Sequence, residues 1–248
     1  MKLENSIFED DYRTSFTHTG MQSVLTNRSF LLLMENLAGA HSNYCHFSFN
    51  DISDKNVTWV LLNWKLQVFH RPRADENIRI QTWGRFFNKV FVIRDFKMLD
   101  SDGNVCAIAS SKWCLLDTQK GGIAAMPANL PDIYHGFIED SVFNIDDLPR
   151  LKVPESEPIK EDTYKIRRFD LDLNKHVHNL NYLNYAYEVL PDEIFNGNEF
   201  NNVEIAYKKE IKLGEVIRTF LYVDDGVYTI VIKSEDEKTI HSIIKLYN

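Results

Sequence analysis

Twice along this chain a stretch of helical apolar periodicity is followed by four segments of strand period, and this repeated order limits the fold more than any other feature. In the first pass a short strand near 12–16 precedes a helical pattern over 29–40, then strands near 57–69, 78–86, 90–99 and 105–116. In the second, a strand near 164–167 precedes a helix over 179–190, then strands near 202–211, 216–223, 227–232 and 239–247. Asp100-Ser101-Asp102-Gly103 and Asp224-Asp225-Gly226 are hairpin turns joining neighbouring strands. Sliding the chain by 139 residues lays Trp64, Leu66 and Val68 over Val203, Ile205 and Tyr207, and Arg73, Glu76, Ile78 and Arg79 over Lys212, Glu215, Ile217 and Arg218. A helix with an apolar stripe and a sheet with an apolar face bury each other, so the expectation is α+β: a curved antiparallel sheet wrapped around one long helix, made twice. Most of the prolines fall between Pro127 and Pro158 among acids, which reads as a linker over 127–159 between halves at 1–126 and 160–248.

The halves differ in chemistry. All four tryptophans and all three cysteines lie in the first, whereas the second carries Asp172-Leu173-Asn174-Lys175-His176 just before its helix. A carboxylate, a carboxamide and an imidazole at alternate positions before a helix start sit where backbone N–H groups favour developing negative charge, so the corner can stabilise an oxyanion. The same residues also read as ordinary caps. His176-x-His178 with Asp172 invites a metal reading, but no third ligand has characteristic spacing and the other histidines are scattered, so a metal-free site is expected. Cys45, Cys106 and Cys114 have neither the even count of a disulfide framework nor zinc-site spacing, and are expected as reduced thiols.

The wider text around the corner runs Arg168-Phe169-Asp170-Leu171-Asp172-Leu173-Asn174-Lys175-His176-Val177-His178-Asn179, followed by Tyr182, Glu188 and Pro191, and later by Tyr207-Lys208-Lys209-Glu210-Ile211. Together with Trp59 to Val68, Pro72, Glu76, Thr82-Trp83, Arg94-Asp95-Phe96, Ala109-Ser110-Ser111, Trp113 and Asp117, it resembles the acyl-acyl-carrier-protein thioesterases, as a bacterial relative of the plant enzymes, over about residues 7–248. The resemblance implies two tandem hotdog domains, the first holding the acyl-chain pocket and the second the catalytic motif. It implies hydrolysis of fatty acyl thioesters on acyl carrier protein, releasing free fatty acid without a cofactor. Glu210 would be the general base for water, Asn174 and His176 would orient the water and polarise the carbonyl, and Asp172 would hold them in place.

Two positions depart from the family's text: Ile211 stands where many relatives have a cysteine after the glutamate, and His178 where asparagine is common. The first removes a Cys-His-Asn mechanism at this place and leaves attack by water. Strict alternation from Val203 to Ile211 would put Glu210 on the charged side with Lys208 and Lys212, so its use needs a bulge or a sheet face turned inward. A hotdog hydratase is the other enzymatic reading, but its motif, Asp-x-Asn-Pro-x-His, is one residue longer than the text here. A non-catalytic acyl-binding protein is a third.

Composition sets the outer bounds. The chain has 248 residues, 44% of them hydrophobic, enough to bury one large core or two smaller ones. A net charge of −8 excludes general nucleic-acid binding. The start of the chain lacks an apolar leader and the longest apolar runs are too short to span a bilayer, so a cytoplasmic protein without membrane insertion is expected. An acidic carrier protein would have to be met by local cations, among them His70-Arg71-Pro72-Arg73, Arg150 with Lys152, Lys165 with Arg167 and Arg168, and Lys208, Lys209 and Lys212. A homodimer is left open.

Overall fold

A computed structural model describes residues 1–197 and 199–248. The chain divides into two compact units, Met1–Leu148 and Pro149–Asn248.

In the first unit, β1 (Lys2–Glu4) and β2 (Ile7–Arg13) lead to helix α1 (Asn27–Tyr44) and the short helix α2 (Phe49–Ile52). Then come β3 (Val57–Val68), β4 (Asn77–Phe87), β5 (Phe91–Leu99), β6 (Val105–Asp117) and β7 (Ile123–Ala124), and the short helix α3 (Leu130–Ile133). The strands are antiparallel in the order β1-β2-β4-β5-β6-β3, with β7 beside β6. Thr26 opens α1 by accepting the Ser29 N–H at 3.2 Å. Phe30, Leu33, Met34, Leu37, Ala38 and His41 then recur at helical spacing and are buried, on a helix that packs against β2 and β4. Burial of each large apolar side chain contributes about 1.5–3 kcal/mol, which is what holds an 18-residue helix to one sheet face. Register shifts at Leu61/Asn63, Gly84/Phe86 and Met98/Leu99 add the local bends by which the sheet curls.

In the second unit the elements are β8 (Lys160–Lys165), helix α4 (Asn179–Glu188), β9 (Asn202–Tyr207), β10 (Val216–Asp224), β11 (Val227–Ser234) and β12 (Ile240–Tyr247). The strand order β8-β10-β11-β12-β9 repeats the order β2-β4-β5-β6-β3 of the first unit, element for element. Leu180, Tyr182, Leu183, Tyr185 and Ala186 form the buried face of α4, which packs on β11 and β12. Each unit therefore has the helix-on-curled-sheet layout of a hotdog. Three predicted strands differ most in extent: β9 ends at Tyr207 rather than at 211, and β2 and β8 begin at Ile7 and Lys160, ahead of the expected 12–16 and 164–167.

The segment 127–159 is anchored at both ends. Leu130 and Tyr134 lie in a core cluster of the first unit with Phe47 and Leu115, and Leu151 lies in a core cluster of the second with Ala206 and Phe220. Residues 137–148 are laced to the first sheet. Ile138 N donates to Gly84 O at 2.9 Å, and Phe137 lies so close over Gly84 that a Cβ there would come within 2.5 Å of its ring. Lys112 reaches Asp147 at 2.7 Å.

A polar layer runs through the core of this unit. The fully buried Asp95 carboxylate accepts from the Ser110 hydroxyl and from Val142 N at 3.1 Å. Arg85 Nε lies 3.2 Å from it as an ion pair, without the alignment of a hydrogen bond. Losing one partner of such a pair costs about 3–5 kcal/mol, because the other charge is then stranded. Nearby, Arg94 Nη1 donates to Thr82 Oγ1 at 3.2 Å and to His41 Nδ1 at 3.0 Å. A guanidinium only donates, so Nδ1 is unprotonated and the proton of the neutral ring sits on Nε2. Burial, and then the charge of Arg94, push the His41 pKa down from 6.5 to about 2.

The sign of the pH effect follows. Below pH 6.5 the unfolded chain takes up a proton at His41 that the folded chain refuses, so stability is whole above that pH and falls as the pH drops toward the folded value. Urea unfolding between pH 6 and pH 5 should show a loss of about 1 kcal/mol per pH unit from this one group. His41→Asn, which keeps an acceptor for Arg94 but cannot titrate, should lack that component of the slope.

Candidate active site

Two backbone segments of the second unit build the site. The first is the loop 172–177, a tight reversal. Asp172 N donates to His176 O at 2.8 Å, Lys175 N to Asp172 O at 3.1 Å, and Leu171 and Val177 form a bridge below them. Lys175 takes the left-handed conformation at φ 64°, which the reversal requires. The Asp172 carboxylate is spent on this loop, its Oδ1 accepting from the N–H groups of Asn174 at 2.8 Å and His176 at 3.3 Å. It therefore orients the backbone that carries Asn174 and His176 rather than their side chains.

The second segment follows β9. Lys208 N and Lys209 N both point at His241 O, at 2.9 and 3.4 Å, so two residues share one partner and the alternation of the strand is broken. Glu210 lies past this bulge, exposed, and Ile211 turns into the core. The loop is pinned here: Val177 N donates to Ile211 O at 2.9 Å and His176 bridges Lys212. The loop that carries His176 is thereby tied to the segment that directly follows Glu210, although 34 residues separate Val177 from Ile211 in the chain.

Beneath them the Tyr182 hydroxyl donates to Lys209 O at 3.4 Å, with its ring edge-on to Tyr207 at 5.3 Å. Burial, and then the Glu210 carboxylate, raise the Tyr182 pKa, so the phenol stays protonated and keeps donating. His241 Nδ1 lies 3.1 Å from the same carbonyl and must carry its proton there, which fixes the tautomer. A cleft of about 620 Å³ opens at Glu210, lined also by Lys209, Lys212, Glu215, Ser234 and His241. None of Asp172, Asn174 or His176 lines this cleft; their loop is joined to the segment after Glu210 by the hydrogen bond from Val177 N to Ile211 O.

The start of α4 corrects one expectation. His178 is its N-cap: Nδ1 accepts from Leu180 N at 3.2 Å, and its carbonyl takes Asn181 N at 2.8 Å. Those first-turn N–H groups are consumed, so the helix terminus does not offer them to an oxyanion. His178 replaces the family's asparagine in a capping role, with Asn181 Nδ2 and His178 N both tied to Asp170 O, at 2.9 and 2.8 Å. Glu215, Ser234 and His241 escape a reading of the sequence, because only cross-strand register brings them to Glu210. Glu215 holds the turn by accepting Lys212 N at 3.0 Å.

The first unit contains the same backbone without the chemistry. Gly20 N donates to Val24 O at 3.1 Å, Ser23 N to Gly20 O at 2.9 Å with Ser23 at φ 59°, and Leu25 N to Pro72 O at 2.8 Å. Gly20, Gln22, Val24 and Arg71 thus stand where the second unit has Asp172, Asn174, His176 and Glu210. Arg71 turns back to Leu25 O and Asn27 Oδ1, both at 3.0 Å, and lies over Phe30. The thiols are no substitute for a nucleophile: burial pushes Cys45 up to about 11 and Cys106 up to about 12.

Comparison with known proteins bears on the family and the fold. The family model for the acyl-ACP thioesterase N-terminal domain matches residues 5–134, and that for the C-terminal domain matches residues 154–246. Oleoyl-acyl carrier protein thioesterase 1 of Arabidopsis thaliana, chloroplastic, is 26% identical over 177 residues, 65% of this chain and 47% of that protein. The second such thioesterase of that plant is 22% identical over 80% of this chain and 58% of its own length. The chain spans about half the length of the curated relatives it matches. Among solved structures, an acyl-ACP thioesterase from Bacteroides thetaiotaomicron has a TM-score of 0.87 at 23% identity, over 100% of this chain and 99% of that one. A 12:0-ACP thioesterase from Umbellularia californica has 0.86 at 18%, over 100% and 98%. With one or other family model covering most of its length, and a two-fold hotdog layout in which one loop of the pair keeps the polar set, the chain belongs to the acyl-ACP thioesterase family.

Proposed function

We propose that the protein hydrolyses fatty acyl thioesters carried on acyl carrier protein. The observation that supports this reading is the pinning of loop 172–177 to residues 211 and 212, which ties the loop that carries His176 to the segment that directly follows Glu210, itself at the wall of an open cleft. Glu210 takes a proton from water as the water oxygen attacks the thioester carbonyl carbon. Asn174 and His176 donate to the developing oxyanion or hold the water in line. The tetrahedral intermediate then expels the thiolate by breaking its C–S bond, and the proton held by Glu210 passes to the sulfur. Fatty acid and carrier thiol are the products. No side-chain nucleophile takes part, in keeping with the raised thiols and with Ile211 beside the base.

In this reading the second hotdog, from about residue 160 on, supplies the chemistry, and the first, to about residue 126, supplies the acyl-chain pocket around α1. Lys208, Lys209 and Lys212 are exposed on either side of Glu210, the place where an acidic carrier delivering its thioester would need cations.

Thiol release from acyl-carrier-protein substrates of graded chain length tests this directly. Glu210→Gln should lower kcat by on the order of a hundredfold or more, as should His176→Ala and Asn174→Ala; full activity in a folded Glu210→Gln would remove that residue from the mechanism. Asp172→Asn keeps an oxygen acceptor for the loop and should retain most turnover, whereas Asp172→Ala should lose it and also lower the melting temperature, since about 1 kcal/mol or more of loop hydrogen bonding goes with it. Reversing Lys208 and Lys212 to Glu should reduce kcat/KM for acyl carrier protein by about tenfold at low salt, through slower association, and leave a small uncharged thioester nearly unaffected.

A further inference from the structure

Three side chains of the first unit converge on one point remote in sequence from the hydrolytic motif. Cys106 Sγ lies 3.1 Å from His70 Nε2, and Asp100 Oδ2 lies 3.3 Å from that same nitrogen. The three donor atoms all fall within 4.8 Å of one another, and among the described residues no other trio of His, Cys, Asp or Glu does so. A single ring nitrogen cannot satisfy both neighbours with protons. If Nε2–H donates to the carboxylate, the thiol is left with the Asn104 carbonyl at 4.0 Å, a long contact even for sulfur. If Nε2 accepts the thiol proton, its lone pair is committed and the carboxylate oxygen faces it without a hydrogen between. A Cys-His-Asp relay is excluded on the same ground, because it needs the carboxylate on Nδ1 and the sulfur on Nε2.

A cation at the shared point satisfies all three. Tetrahedral zinc with nitrogen, oxygen and sulfur ligands separates its donor atoms by roughly 3.3–3.7 Å, within about half an ångström of the 3.1 and 3.3 Å found around Nε2, and the sulfur–oxygen distance lies within 4.8 Å. The trio is also built rigidly. Phe69 N and His70 N both donate to Cys106 O, at 2.8 and 3.3 Å, which fixes the end of β3 against the start of β6. Asp100 is oriented by its own hairpin, Oδ1 accepting from Asp102 N and Asn104 N at 2.9 and 2.8 Å, and Oδ2 from Asn104 Nδ2 at 3.1 Å. Cys106 is buried, Asp100 is 22% exposed and His70 44%, so the point is closed on the protein side and open to solvent on the other.

We propose that His70, Asp100 and Cys106 form a binding site for one divalent transition-metal ion of the zinc class, with water in the open position. The donor set selects the class: a thiolate disfavours magnesium and calcium, and imidazole with carboxylate suits zinc. On binding, a metal–sulfur bond replaces the S–H bond and the proton goes to solvent, so affinity rises with pH. The ion clips the end of β3 to the β5–β6 hairpin. The corresponding corner of the second unit has Lys209 and His241 in place of His70 and Cys106, under the same pair of shared N–H donors.

The test uses the full chain without an affinity tag, dialysed against chelator and titrated with Co²⁺. A thiolate-to-cobalt charge-transfer band saturating at one equivalent, bleached by Zn²⁺, is the expected result, together with a higher melting temperature in Zn²⁺. His70→Gln and Cys106→Ser should lose the band and the Zn²⁺-dependent melting shift, and Asn104→Ala should weaken Co²⁺ by about 10–100-fold. If Cys106→Ser fails to fold, His70→Gln, half exposed on the surface, carries the test alone. Absence of a thiolate band in the parent chain, or a band and melting shift unchanged in a folded His70→Gln, would overturn the site and leave an ordinary His70–Asp100 ion pair.

Discussion

One backbone hydrogen bond, from Val177 N to Ile211 O, holds the candidate site together. It joins the loop that carries Asn174 and His176 to the strand extension that carries Glu210, and everything around it serves to make that bond available. The Asp172 carboxylate folds the loop so that Val177 presents its N–H, and the Lys208–Lys209 bulge turns the strand so that Ile211 presents its carbonyl. Without the bulge, alternation would carry Glu210 to the face opposite Ile205 and Tyr207 as a solvated charge. With it, the Glu210 carboxylate lies at one cleft with Lys209 and Lys212, and the buried Tyr182 phenol ties down the Lys209 carbonyl from below.

The same bond recurs in the first unit as Leu25 N to Pro72 O, with the same left-handed residue in the loop. The backbone device is thus independent of the chemistry placed on it. In one unit it carries acids, an amide and an imidazole; in the other it carries Gly20, Gln22, Val24 and an arginine that is used to tie down its own helix. The repeat of strand order shows why this is affordable in structural terms: the scaffold is held by sheet register and a buried helix face, and loop side chains are free to differ.

Much of this was legible in the residues. Strand and helix periods located both long helices and the eight central strands, because each has a buried face, and the motif text marked Asp172, Asn174, His176 and Glu210; the short elements and the true extents of β2 and β8, which is exposed along nearly its whole length, left no such period. The end of β9 was not legible, since Lys208 and Lys209 continue a polar alternation and nothing in their identity announces that both will bond to one carbonyl. His178 was visible as a departure, but its service as a cap depends on which way a ring nitrogen points. His241 and Glu215 at the cleft, and the trio His70, Asp100 and Cys106, are products of register: residues 30 and 6 apart have no recognisable ligand spacing, yet a strand end and a hairpin bring them together.

The lacing of residues 137–148 onto the first sheet has a consequence for where the first unit ends. Asp95 is committed to the interior when β4, β5 and β6 pair, but one of its donors, Val142 N, comes 25 residues after β6 ends. Phe137 likewise covers Gly84 only after that stretch has been made. A chain cut just beyond β6 would leave that carboxylate without its Val142 donor and the Gly84 position on β4 uncovered. The smallest fragment that completes the first unit's interior therefore reaches past its last long strand to at least residue 142.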